Sequence, residues 1–130
     1  MSVKKTVLIV TDGTDKVTQM AEKIAKALKG NRVLLKIASE FAGTDLLPAG
    51  VVFLGCSEPS PLSFKYLDEL LHHINLAGRS CGIFSPSSAK ALQYLKNLLK
   101  SSDIALNSEP MTEVNSANVN NWAVAVLAGK

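Results

Sequence analysis

The sequence predicts one α/β domain over residues 1–130, built on a five-stranded parallel sheet with crossover helices. Three observations carry this. Unbroken apolar runs stand at Thr6 to Val10 (TVLIV) and Val51 to Gly55 (VVFLG), the pattern of strands covered on both faces. Stretches with helical spacing alternate with the runs, so each strand returns to the sheet through a right-handed crossover. The 130 residues, 47% apolar and 19% charged, suffice for a core without disulfide or metal staples.

The elements follow in order. After the first strand and a short polar loop, Val17, Met20, Ala21, Ile24, Ala27 and Leu28 recur on one helical face, and Gly30 stands where such a helix stops. Arg32 to Ile37 is a strand with Lys36 inside it, which suits a place nearer the sheet edge. Val51 to Gly55 is a second interior strand. Ser60 then precedes Pro61, an N-cap and first-turn pair, and Phe64, Leu67, Leu70, Leu71 and Ile74 give a helix closed by Gly78. Cys81 to Phe84 is the fourth strand; Ser87 or Ser88 caps a helix whose stripe is Leu92, Leu95, Leu98 and Leu99. Ile104 to Leu106 is a weak fifth strand. In the tail, Trp122, Ala123, Val126 and Leu127 suit a last helix, although AVAVL also reads as a strand.

Composition excludes several classes. A formal charge of +3, with lysines scattered instead of gathered in a block, gives nucleic-acid binding no support. No stretch approaches the roughly 18 apolar residues that span a bilayer, and Met1 to Val10 lacks the long apolar run of a signal peptide. Two cysteines, Cys56 and Cys81, in no metal or redox spacing fit a reducing compartment, so a cytoplasmic protein is expected, with both thiols in the core. The composition leaves the oligomeric state open.

In parallel sheets, ligands sit beyond the carboxyl ends of the strands where the winding reverses. The loops that matter are therefore Thr11 to Lys16, Cys56 to Ser60 and Ser85 to Ser88. The opening TVLIVTDGTDKVTQMAEKIAKAL and the later FAGTDLLPAGVVFLGCSEPSP resemble the flavodoxin family: strand, hydroxyl-rich turn, helix, then a strand ending in Gly. The resemblance runs through nearly the whole chain. It implies a three-layer flavodoxin-like sandwich with strand order 2-1-3-4-5, noncovalent FMN, and electron transfer between redox partner proteins.

A phosphate at the first loop needs hydroxyls and backbone N–H groups at a helix start. Thr11, Gly13, Thr14 and Thr18 supply part of that chemistry, and Lys16 can fold back as a counter-charge. Asp12 and Asp15 stand where the family pattern has Ser or Thr and Gly, and they put negative charge beside the phosphate position. The plainer reading is that Asp15 or Thr14 simply caps the first helix. The isoalloxazine ring falls between Cys56, Ser57, Glu58 and Pro59 on one loop and Ser85, Pro86 and Ser87 on the other, with Phe64 and Tyr66 beyond. Neither loop contains an aromatic residue to stack on it. A flavodoxin-fold module that has lost flavin and recognises a partner is the alternative.

Other constellations read blandly. VTDGT has Val10 where the attacking aspartate of a phosphatase would stand, and the strand ending at Gly55 offers no phospho-acceptor aspartate. His72 and His73 point about 100° apart on a helix and pair with Asp68 and Glu69 on a solvated face. Trp122 is a core anchor.

Overall fold

β1 (Thr6–Thr11) and β3 (Val51–Gly55) are the apolar interior strands, buried along nearly their whole length. Together with β2 (Arg32–Ile37), β4 (Ser80–Phe84) and β5 (Ala105–Leu106) they form one parallel sheet of order β2-β1-β3-β4-β5. This computed structural model describes residues 5–86, 88–107, 109–112 and 118–129.

The step from β1 to β2 runs opposite to the later steps, so right-handed crossovers place the helices on two faces. α1 (Asp15–Ala27) and α5 (Val119–Leu127) cover Val7, Ile9, Val51 and Phe53 on one side. α2 (Gly43–Leu46), α3 (Lys65–Leu71) and α4 (Ala89–Leu99) cover Leu8, Val10, Val52 and Leu54 on the other. The direction reverses between β1 and β3, which opens the crevice at their carboxyl ends.

Several local expectations need correction. Ser60 does not cap a helix: it has φ of +52°, Pro61 follows in extended conformation, and a single 3-10 turn (Leu62–Phe64) leads into α3. α3 also stops at Leu71, well short of Ile74 and Gly78. The short α2 and the 3-10 turn at Ala38–Glu40 were not expected, because three or four residues are too few to display a period. Ser88 does cap α4, its Oγ accepting from the Ala91 amide at 3.0 Å. The tail is helical, and Trp122 stands edge-on to Phe53 with centroids 5.4 Å apart. That contact decides between helix and strand: the helical spacing of Trp122, Ala123 and Val126 buries all three on β3 and β4, where Gly82 leaves room for the indole.

Cys56 and Cys81 are free and buried, as the composition suggested. His72 Nδ1 lies 3.1 Å from an Asp68 carboxylate oxygen on an exposed helix face. Among the described residues no group of three or more His, Cys, Asp or Glu side chains could hold a metal, and no helix is long and apolar enough to cross a membrane.

Candidate functional site

β1 and β3 are neighbours in the sheet, so the loops that leave their carboxyl ends meet. Thr11 closes β1 with a buried side chain, and its Oγ1 accepts from the Gly13 amide at 3.2 Å. Gly13 takes φ of +83°, which turns the chain sharply toward α1. Asp12 lies between the two and points across to the other loop.

The Asp12 carboxylate is the hub of the site. One oxygen accepts from the Thr14 amide (3.0 Å) and the Thr14 hydroxyl (2.7 Å); the other accepts from the Ser57 amide (2.8 Å) and the Ser57 hydroxyl (2.9 Å). Partial burial pushes its pKa up, but the bonds from Thr14 and Ser57 together outweigh this and hold it below the ordinary aspartate value. The group is therefore ionised at neutral pH, and four donors already face one internal anion. Asp15 differs: it is exposed in the first turn of α1, where a carboxylate favours the positive end of the helix dipole.

The capping reading of this turn is half right. Thr14 occupies the N-cap position of α1, yet its side chain makes no cap bond, because the hydroxyl is turned to Asp12. The start of this 13-residue helix therefore opens toward the crevice with no cap bond from its own N-cap side chain, while the Asp12 carboxylate accepts from the Thr14 amide. Lys16 is exposed beside it.

On the second loop, Ser57 is half-buried by its bonds to Asp12, whereas Glu58 and Pro59 are exposed. Cys56 is fully buried among the side chains of the α2, α3 and α4 face, so only its backbone borders the crevice. Burial, and after it the charge of Asp12, push the Cys56 thiol up to about 12, which makes it inert as a nucleophile. On the third loop Ser85 and Pro86 are buried, and Ser87 lies outside the described residues. The Ser85 Oγ is buried with no hydrogen-bond partner among the described residues. Its amide is engaged, donating to Met111 O at 3.0 Å, and Met111 in turn pairs with Phe84.

The two aromatic residues expected beyond the ring position do not line it. Phe64 is buried in the core, and Tyr66 leans on Phe41 with centroids 5.9 Å apart. Met111, brought beside the third loop, was missed by sequence reading because nothing local marks a bridge to a strand 27 residues earlier.

No protein-family model and no curated relative matches the chain. Solved structures do. A short-chain flavodoxin associated with a bacterial microcompartment superposes with a TM-score of 0.84 at 12% identity, covering 97% of this chain and 98% of that one. Oxidised flavodoxin 2 from Bacillus cereus gives 0.81 at 19% identity, covering 98% and 100%. Fusobacterium nucleatum flavodoxin bound to flavin mononucleotide gives 0.75 at 12% identity, covering 95% and 98%. Sheet order, helix placement and near-complete mutual coverage agree, and on them the chain has the flavodoxin-like fold.

Proposed function

We propose that the three loops form an FMN site of reduced affinity, and that the protein carries electrons between redox partner proteins. The observation that carries this reading is the start of α1 at the reversal point of the sheet, where the N-cap side chain makes no cap bond and the positive end of the helix dipole faces the position an anion would take. The buried Ser85 hydroxyl on the facing loop, without a partner among the described residues, agrees, since such a group costs about 1 to 3 kcal/mol unless something bonds to it.

The residues fit the cofactor in this way. Thr14 and the first turn of α1 would hold the phosphate, with Lys16 as counter-charge. Backbone groups of Ser57 to Pro59 and of Ser85 and Pro86 would border the ring. Bound FMN supplies the reversible electron transfer; the chain's own loops supply its orientation and shield it from water. Asp12 is what reduces affinity: its charge faces the phosphate position, and the Thr14 amide must leave the carboxylate before it can serve a ligand.

The test is a titration of the purified protein with FMN, followed by absorption and by flavin fluorescence. Replacing Asp12 by Ser and Asp15 by Gly is expected to tighten binding by about tenfold or more, each tenfold being about 1.4 kcal/mol. Unchanged affinity in that double variant would defeat the phosphate placement.

A second reading rests on the Asp12 bonds themselves. Here the carboxylate is a permanent internal anion that ties the β1 and β3 loops together in place of a phosphate, and the protein is a flavodoxin-fold module that recognises a partner without flavin. Failure of both the parent protein and the double variant to bind FMN at micromolar concentrations selects this reading.

A further inference from the structure

We propose that the free edge of β2, together with the groove between it and α1, is a docking site for an extended acidic segment of another protein. This inference is independent of whether flavin is bound, because the residues that line the groove lie outside the three loops at the carboxyl ends of the strands.

The sheet has two edges, and they differ. β5 is two residues long, too short to template a further strand. β2 runs for six residues without proline and pairs with β1 alone among the described residues. The Arg32 amide donates to Lys5 O, just before β1, so by strand alternation Val33, Leu35 and Ile37 turn their N–H and C=O groups to the open side. Unpaired backbone groups in this spacing are what an added strand bonds to.

Side chains give the edge an apolar surface. Leu34 is 37% exposed, Leu35 39% and Ile37 36%. Leu34 pairs in register with Leu8 and so lies on the α3 face; Leu35, beside Ile9, lies on the α1 face. Both faces of the edge are therefore apolar, as in a strand that expects a neighbour. Lys36, the residue that would protect it, is turned to Asp45 at 4.0 Å.

Charge selects the occupant. α1 and β2 frame an open groove of about 910 Å³ whose floor includes Ala25 and Val33 and whose wall carries Lys23, Lys26 and Lys29 against Glu22. Edge pairing between two copies of this chain would bring those lysine rows together, which like-charge repulsion opposes. An extended segment whose alternate residues are acidic on the α1 face, toward the lysines, and apolar on the other face, over Leu34, satisfies both features.

The probe is a fluorescent synthetic peptide of about eight residues that alternates Glu with Val, long enough to pass a six-residue strand. It is titrated against the full chain by anisotropy at low and high salt. Saturable binding that weakens with salt is expected, with backbone amide shifts confined to the β2 edge and the adjoining part of α1. The paired substitution Lys26→Glu and Lys29→Glu should weaken it about tenfold or more, and Leu34→Asn should weaken it without changing charge. All three positions are half or fully open to solvent, and thermal unfolding checks that each variant is folded. The proposal is overturned if the peptide does not bind, if a Lys-Val peptide binds equally well, if the variants bind as the parent does, or if sedimentation shows the chain dimerising through β2.

Discussion

A single carboxylate organises the crevice, and its behaviour with pH follows from its bonds. Asp12 is held below the ordinary aspartate value of about 3.9 in the folded chain. Its contribution to stability is thus complete above about pH 4 and is lost as the pH falls through the lower, folded-state value. Asp12→Asn should cost about 1 to 2 kcal/mol at neutral pH, in the range of charge-assisted hydrogen bonds to a partly exposed group, and should flatten the acid limb of the stability profile. Urea unfolding between pH 3 and 7 measures both, and parallel profiles in parent and variant would refute the assignment. The sequence showed Asp12 and Asp15 as two equivalent obstacles to a phosphate. Their different fates were not legible, because Asp12 finds its partner 45 residues away at Ser57, a contact that exists only once β1 and β3 are adjacent. Cys56, by contrast, was expected in the core, and strand alternation gives its face: Val52, Leu54 and Cys56 share one period, so what buries Leu54 against α3 and α4 buries the thiol there too.

At the scale of elements, the strands were legible and the helix ends were not. β1 and β3 announce themselves because burial on both faces requires unbroken apolar runs. α3 does not follow its stripe of leucines to the end, since the chain after Leu71 must turn back to β4, and Leu76 is fixed there by a hydrogen bond that its amide donates to Ser102 O at 2.6 Å. α5 was ambiguous because AVAVL carries both periods, and only the fit of Trp122 against Phe53 and Gly82 settles it. Sheet contacts also depend on what is missing from a side chain. A Cβ on Gly55 would come within 2.2 Å of the Phe84 ring across the β3–β4 pair. Gly55→Ala is therefore expected to destabilise the protein by about 1 to 3 kcal/mol through overpacking, seen as a lower urea midpoint with unchanged slope. A midpoint equal to the parent's would mean that the ring moves aside freely.

For the whole molecule, the two clusters of apolar side chains lie on opposite faces of one sheet and share its strands. Neither layer has a strand of its own to pack on, so both should be lost together. Trp122 fluorescence, which reports the α1 and α5 face, and far-ultraviolet dichroism, which reports all helices, are expected to follow one common urea transition; separated midpoints would show that the layers come apart. The architecture was readable from the alternation of strands and helices together with a family resemblance, whereas the task of the protein was not, because function resides in loops grafted on a shared frame. The order of the strands has a consequence for biosynthesis. β1 precedes both of its neighbours, β2 and β3, so one edge of the apolar run Val7 to Val10 stays unpaired during synthesis until Val51 to Leu54 has been made. An open apolar edge of that kind is where partly made chains adhere to one another before folding is complete.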